Sequence, residues 1–176
     1  SRNSPSRDMP DYRRPWHQGG TYFFTVNLLE RRGNDLLVRR LDLLKHAVVD
    51  TARWRRFRVD AWVVLPEHLH CIATLPPGDS DFASRWRRIK KKFSKQIPAT
   101  EHRSATRQRR GERGIWQRRY WEHLIRDDTD YRNRIDYIHY NPVKHGLVQR
   151  AADWSHSSLH RHIQRGLLPP DWSAPP

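Results

Sequence analysis

Two runs of strand-forming residues, joined by a very short connection, limit most strongly how this chain can fold. Residues 58–65 and 68–75 are rich in aliphatic side chains, and only Pro66 and Glu67 separate them. Proline cannot donate a hydrogen bond to a sheet and tends to stand at the end of a strand. The two runs are therefore predicted to pair as an antiparallel hairpin, because a tight connection joins antiparallel neighbours.

The second strand of this hairpin carries two histidines on one face. Side chains alternate between the faces of a strand, so His68 and His70 point one way and Leu69 and Cys71 the other. Imidazole is the commonest metal ligand near neutral pH, so the pair predicts half of a metal site. The alternative interpretation is an exposed polar face on a half-buried strand.

The order of the predicted elements indicates an α+β fold of the ferredoxin-like type. Apolar periodicity and β-forming runs predict the following elements before the C-terminal region: strand 21–28, helix 38–55, strands 58–65 and 68–75, helix 81–96, and strand 117–126. This βαββαβ order predicts an antiparallel sheet with the helices on one face. The fold supports many activities and does not decide the function.

A third helix is predicted after the last strand, and it carries a tyrosine next to an asparagine. A capping residue within 127–129 begins it, and Pro142 should end it after about Asn141. Residues four apart share a helix face, so Tyr137 and Asn141 place a potential nucleophile beside a potential oxygen ligand. A half-buried structural tyrosine is the alternative.

The other tyrosines of this helix lack such a neighbour. Tyr131 is followed at the same spacing by the apolar Ile135. Tyr140 is followed by Lys144, which we expect to lie beyond the end of the helix because Pro142 intervenes.

The charge of the chain points to an anionic partner. The 34 lysines and arginines exceed the 19 acidic residues and give a formal net charge of +15. Such a surplus is typical of proteins that bind an anionic polymer or a membrane surface. No apolar stretch approaches the roughly 18 residues that span a bilayer, and we expect no signal peptide. The single cysteine, Cys71, fits a reducing compartment and a small core residue.

One domain is predicted to occupy most of the chain. Residues 1–11 have no periodicity and predict a disordered lead, residues 12–172 a single domain, and residues 173–176 a tail. Within the domain, the arginine-rich stretch 97–114 predicts a flexible basic loop. The lysine- and arginine-rich face of helix 81–96 is either a solvated surface or a phosphate-binding one.

Three phrases of the sequence resemble the REP-associated tyrosine transposases of bacteria, which are single-tyrosine HUH endonucleases. They are residues 62–71, which hold the His68-Leu69-His70 motif, residues 82–86, and residues 136–146, which hold Tyr137 and Asn141. The resemblance runs from about Tyr12 to Trp172. The arginine-rich stretch around 99–113 departs from it, because it is longer than expected for the family.

The resemblance implies an enzyme that cleaves and rejoins single-stranded DNA. It assigns His68, His70 and Asn141 to a divalent cation, Mg²⁺ or Mn²⁺, and Tyr137 to the attack on the scissile phosphate. The attack would form a 5′-phosphotyrosine and free a 3′-hydroxyl. The implied target is a repetitive extragenic palindromic (REP) hairpin with a short conserved tetranucleotide at its foot.

Basic and aromatic residues outside this site are predicted to hold the DNA. Lysine and arginine bind phosphates, and aromatic rings stack on unpaired bases. The predicted DNA-binding residues are Arg13, Arg14, Trp16, Tyr22, Lys90, Lys91, Lys92, Arg118 and Arg119. We expect a monomer that is cytoplasmic, associated with the nucleoid, and not bound to a membrane.

Two alternatives to the enzyme remain open from the sequence. The first is a non-catalytic single-stranded DNA- or RNA-binding protein that uses the same basic face. The second is a zinc-stabilised domain, although the chain lacks the usual set of four cysteine and histidine ligands.

Overall fold

A computed structural model describes residues 20–99 and 101–176 of the chain. These residues form a four-stranded antiparallel sheet in the order β2-β3-β1-β4. The strands are β1 (Thr21–Asn27), β2 (Arg58–Val64), β3 (His68–Thr74) and β4 (Trp121–Leu124). This order is the ferredoxin-like arrangement that the sequence predicted, so the fold class is confirmed.

Six α-helices accompany the sheet in the described part of the chain. They are α1 (Leu36–Arg39), α2 (Leu41–Trp54), α3 (Phe82–Lys95), α4 (Ala105–Arg109), α5 (Asp128–Lys144) and α6 (Leu159–Gln164). A 3₁₀ turn at Ala151–Asp153 connects the last two. None of the described helices is long and apolar enough to cross a lipid bilayer.

The helices α2 and α3 cover one face of the sheet. Phe24 of β1 and Leu69 of β3 pack there against Leu44 of α2 and Phe93 of α3. Cys71 is buried in the same core, as predicted, and burial raises the pKa of its thiol. Cys71 is therefore a packing residue, because a thiol that stays protonated is a poor nucleophile.

The opposite face of the sheet packs against α5 and α6. Phe23 of β1 and Ile72 of β3 contact a second core that contains Ile135 and Ile138 of α5. The two crossover helices thus share one face, as expected, while the tyrosine-bearing helix lies on the other. Because His68 and His70 alternate with Leu69 and Cys71, they face α5.

The helix α5 continues past Pro142, and the prediction that it ends near Asn141 is wrong. Proline removes one hydrogen bond, but it stands only two residues from the end at Lys144. The helix closes normally beyond it, since the amide of His145 donates to the carbonyl of Asn141 and that of Leu147 to Pro142. A proline in the last turn therefore costs the helix little. Lys144 consequently lies on the helix rather than beyond it.

The segment predicted as a loop over 97–114 contains α4, which the sequence prediction missed. Arg113 ties the segment to the end of α3, because its guanidinium donates to the carbonyls of Ser94, Ile97 and Pro98. It also forms an ion pair with Glu101. These arginine contacts join residues up to 19 positions apart, and no local pattern in the sequence signals them.

Two buried histidines join α5 to α6. The ring centres of His139 and His162 are 4.8 Å apart. Nε2 of His139 hydrogen-bonds with Oγ of Ser158 (2.7 Å), and Nε2 of His162 donates to the carbonyl of Asp60 (2.9 Å). Burial lowers the pKa of both imidazoles, and a charge on His162 would lower that of His139 further.

These histidines predict that the protein loses stability in acid. Unfolded imidazoles have a pKa of about 6.5, so below that pH the unfolded chain binds protons that the folded chain does not. Each such group steepens the fall in the free energy of unfolding by up to about 1.4 kcal/mol per pH unit. His162→Gln keeps a donor for the Asp60 carbonyl and should flatten the fall between pH 7 and 5, measured by urea unfolding. The exposed His160, changed to Gln, is the control, and equal slopes for both variants would contradict the prediction.

Candidate active site

The two histidines of β3 lie side by side and are buried. Their ring centres are 5.0 Å apart, and each residue is only 4% exposed. This burial rules out the alternative of an exposed polar face. The pairing of β1 with β3 places Thr25 opposite His70 and Asn27 opposite His68, so both histidines stand on an inner strand of the sheet.

Each histidine is oriented by a hydrogen bond to its Nδ1 atom. His68 Nδ1 donates to Oε1 of Glu67 (2.8 Å), which Arg31 also contacts at 3.1 Å. His70 Nδ1 hydrogen-bonds with Oγ1 of Thr25 (2.7 Å). Partners of this kind fix the ring orientation of metal-binding histidines. They leave Nε2 of each ring for another contact.

Sequence reasoning missed both orienting partners. Glu67 directly precedes His68, and a carboxylate next to a candidate histidine ligand is a sequence signal for such a contact. Thr25 is 45 residues from His70, so only the register between β1 and β3 shows that they meet.

The surroundings keep the histidines neutral. Burial lowers the pKa of His68, and the neighbouring Glu67 carboxylate opposes this shift only in part. Burial also lowers the pKa of His70, to about 3, with further contributions from the positive charges of His68, His145 and Lys144. Neutral imidazole is the form that binds metal ions, so both rings are ready to act as ligands near pH 7.

The helix α5 brings Tyr137 to the histidine pair. The ring centre of Tyr137 lies 5.2 Å from that of His70 and 5.8 Å from that of Phe23. Its side chain is half-buried, whereas Tyr131 is buried in the core. Tyr137 is thus placed beside the candidate metal ligands, and its role as nucleophile stays a prediction.

Two further residues at the end of α5 reach the same site. Nζ of Lys144 lies 4.9 Å from the ring centre of Tyr137, and the ring of His145 lies 5.3 Å from that of His68. Lys144 is seven residues after Tyr137, a spacing that returns to the same helix face. The sequence carried this signal, but the misplaced helix end at Pro142 concealed it.

Asn141 lies one turn further along α5 than Tyr137 and is fully buried. Neither Oδ1 nor Nδ2 of its amide has a hydrogen-bond partner among the described residues, and the same holds for Nε2 of His70. These are three of the seven such buried atoms in the described chain. An unpaired buried polar group costs about 1–3 kcal/mol, and a bound ligand would remove that cost.

The donor set fits a hard or borderline divalent cation. Imidazole nitrogens and an amide oxygen leave positions open for phosphate and water oxygens, as Mn²⁺ and Mg²⁺ require. Within residues 20–99 and 101–176, no three His, Cys, Asp or Glu side chains are grouped to hold a metal.

The residues predicted to bind DNA are dispersed. Arg13, Arg14 and Trp16 lie outside the described residues. Tyr22 points to the face of the sheet opposite the histidines, where its ring is 4.9 Å from that of Phe82. The structure therefore does not bring Tyr22 to Tyr137.

Lys90 is the most enclosed of the predicted lysines. Its ammonium donates to the carbonyls of Gln117 (2.9 Å) and Arg118 (3.3 Å) and lies 5.0 Å from the ring centre of Tyr120. Burial lowers its pKa to about 8, and the charge of Arg107 lowers it further. Lys90 thus fastens the segment before β4 to α3.

The remaining predicted cations lie at the surface or pair there with acids. Lys92 is 3.4 Å from Asp50, and Arg118 is 2.7 Å from Glu112. Lys91 and Arg119 are exposed. Surface ion pairs of this kind are weak, so they leave these cations able to contact phosphates.

Comparisons with known proteins find relatives of this chain over nearly its whole length. The chain is 50% identical to the REP-associated tyrosine transposase of Escherichia coli K12 over 94% of its length and 92% of the relative. It is 41% identical to a putative REP-associated tyrosine transposase of Haemophilus influenzae over 96% of both chains. A solved REP-associated tyrosine transposase bound to a REP hairpin superposes with a TM-score of 0.76 at 49% identity, covering 95% of this chain and 93% of the other. No family model matches the sequence.

The contacts of Lys90 predict that it stabilises the fold more than its neighbours do. Lys90→Ala removes the donor to two carbonyls and should lower the free energy of unfolding by about 1–3 kcal/mol. Lys91→Ala, at an exposed position of the same helix, should change it by less than about 0.5 kcal/mol. Urea unfolding of both variants without DNA measures the difference. Equal stabilities would show that the Lys90 contacts contribute nothing.

Proposed function

The chain belongs to the REP-associated tyrosine transposases, and on that premise we propose that it cleaves and rejoins single-stranded DNA at REP hairpins. The solved relative was bound to a REP hairpin, and it shares the fold of this chain over nearly its whole length. The surplus of positive charge suits the same class of partner.

One observation carries the catalytic part of this proposal. Tyr137, which is half-buried, stands 5.2 Å from the ring centre of His70, and Asn141 of the same helix buries an amide without partners. A nucleophile, two neutral imidazoles and an amide oxygen are thereby held by the same pair of elements, β3 and α5. This arrangement supports phosphoryl transfer to the tyrosine.

The proposed reaction is a transesterification. The phenolic oxygen of Tyr137 attacks the scissile phosphorus, and the bond between phosphorus and the 3′ oxygen of the preceding nucleotide breaks. The phenolic proton is lost and the leaving 3′ oxygen gains one, so a 5′-phosphotyrosine and a free 3′-hydroxyl result. One phosphate ester replaces another, and the step can be reversed by the same or a different 3′-hydroxyl without an energy source.

The residues around Tyr137 have distinct roles in this proposal. His68 and His70 through Nε2, and Asn141 through Oδ1, would hold Mg²⁺ or Mn²⁺. When bound, such a cation would neutralise charge on the scissile phosphate as a Lewis acid. Lys144, beside the tyrosine ring, can contact the same phosphate through its ammonium. Glu67 and Thr25 hold the histidines in orientation.

We further propose that the nine residues predicted from the sequence to bind DNA contribute to affinity outside this site. Exposed cations release counterions from phosphates and need no fixed geometry, which suits Lys91 and Arg119. We place the protein, as a monomer, in the cytoplasm among the nucleoid DNA on which it would act.

The nucleophile can be tested directly by removing one atom. Tyr137→Phe should abolish the covalent adduct with a labelled REP hairpin strand, because no other side chain replaces the lost hydroxyl. Tyr140→Phe, on the same helix, should form the adduct at close to the wild-type rate. Denaturing gels of each variant with Mn²⁺ measure the outcome. An adduct that maps to another tyrosine would overturn the assignment.

The metal site can be tested without any reaction. Because a ligand that binds only the folded state stabilises it, Mn²⁺ at about 100 times its Kd should add about 2.7 kcal/mol to the chelator-treated protein. His70→Ala should abolish this gain, and Asn141→Ala should reduce it less, because an amide is a poorer ligand. Thermal unfolding with and without Mn²⁺ measures the gain, with His160→Ala as the surface control. A gain in His70→Ala equal to that of the wild type would exclude the site.

A further inference from the structure

An exposed tryptophan stands on the same sheet face as the candidate catalytic residues. Trp121, on the edge strand β4, is 50% exposed. The register pairs Trp121 with Thr25 of β1, and Thr25 in turn with His70 of β3. Directly paired residues present their side chains on one face, so these three form a row across the sheet. Two strand spacings, roughly 10 Å, separate the backbone of Trp121 from that of His70.

Neighbouring groups hold the indole of Trp121 in place. His123, two residues along β4, has its ring parallel to the indole, at 3° and 5.8 Å between centres. The guanidinium carbon of Arg134 lies 5.3 Å from the Trp121 ring centre and 5.0 Å from that of Phe23. We call Trp121, His123 and Arg134 together the Trp121 shelf.

A carboxylate braces the Trp121 shelf from the first turn of α5. Oδ2 of Asp130 hydrogen-bonds with Nε2 of His123 (2.7 Å), and Oδ1 lies 3.6 Å from the guanidinium of Arg134. A brace of this kind lowers the entropy that the side chains lose when a ligand binds. The indole itself remains half open to solvent.

The Trp121 shelf is continuous with the site around Tyr137. Arg134 and Tyr137 are three residues apart on α5 and therefore share a face. Phe23 connects the two, since its ring centre lies 5.7 Å from that of Trp121 and 5.8 Å from that of Tyr137. A strand whose phosphate reaches Tyr137 therefore has its adjacent nucleotide within reach of Trp121.

The chemistry of the Trp121 shelf suits an unpaired base. A flat indole offers a stacking surface to any base, and a guanidinium beside it attracts the phosphates on either side. A base inside a duplex is already stacked and cannot use that surface. We propose that the Trp121 shelf stacks one unpaired base beside the scissile phosphate, and that Trp121 is thereby a positioning residue for the attack. The position of that base relative to the phosphate rests on the proposed function.

The test combines Trp121→Ala with an abasic scan of the DNA. REP hairpin oligonucleotides with short single-stranded extensions each carry one abasic site, and their affinity is measured in chelator so that no cleavage occurs. At one position in the extensions, removing the base should weaken wild-type binding about tenfold, or ~1.4 kcal/mol. Trp121→Ala should weaken binding of the intact strand by the same factor. An abasic site at that position should then cause no further loss of affinity in Trp121→Ala.

Two variants separate stacking from general effects of losing a tryptophan. Trp121→Phe keeps an aromatic ring and should recover most of the affinity and the sensitivity to the abasic site. Trp54→Ala is the matched control, because Trp54 is 44% exposed and also contacts arginines, Arg55 and Arg88, but lies on α2 across the sheet. Its loss should leave the abasic profile unchanged.

The outcomes distinguish the Trp121 shelf from the proposed function. Two results would overturn the proposed role of the Trp121 shelf. One is that the affinity losses from Trp121→Ala and from the abasic site add at every position. The other is that Trp121→Ala binds the intact strand with wild-type affinity. If the wild type still forms the Tyr137 adduct in that case, the proposed function stands. The converse result is that the effects of Trp121→Ala and of the abasic site fail to add at one position while the wild type forms no covalent adduct at Tyr137. That result would support base stacking by the Trp121 shelf and refute the proposed cleavage.

Discussion

The pairing of β1 with β3 is the constraint on which the rest of the structure depends. Its register sets Thr25 opposite His70, and it thereby supplies the hydrogen bond that orients the ring. The same strand β1 places Phe24 in the core with α2 and α3 and Phe23 in the core with α5. A shift by one residue would exchange the two faces, so that Thr25 could no longer reach His70 and both cores would be lost together. Fold stability and site geometry are therefore set by the same ladder of hydrogen bonds.

The helix α5 supplies the residues of the site that face the histidines of the sheet. Ile135 and Ile138 fasten it over Ile72, and the alternate stripe of the same helix turns Arg134, Tyr137, Asn141 and Lys144 towards the functional side. The burial of two groups at this site is costly, because the amide of Asn141 and Nε2 of His70 have no hydrogen-bond partners in the described chain. The apolar contacts of α5 offset that cost. Buried polar groups without hydrogen-bond partners lower the stability of the fold, and they are common at binding sites.

Several parts of this arrangement could be predicted from the sequence because they depend on local periodicity. The alternation along β3 predicted that His68 and His70 share a face, and the four-residue spacing predicted the proximity of Tyr137 and Asn141. The rule that proline ends a helix failed at Pro142, because a proline in the last turn breaks only one bond. That single error removed Lys144 from the predicted site. The loop prediction for 97–114 missed α4 for a different reason, since Arg113 holds the segment through carbonyls as far as 19 positions away in the sequence.

The sequence by itself determined the order of the four strands and of the helices α2, α3 and α5, the hairpin, the histidine face, the tyrosine–asparagine pair and the family. Each of these depends on residues within about one turn of helix or one strand, or on phrases that can be recognised as they stand. Only the tertiary structure decided that α5 crosses the histidine face, that Thr25 orients the imidazole of His70, and that Trp121 stands in a row with His70. Thr25 and Trp121 meet the site through the registers of non-consecutive strands, and α5 through the packing of side chains from distant segments. Such contacts arise only when the whole chain closes around its two cores, and so no local pattern contains them.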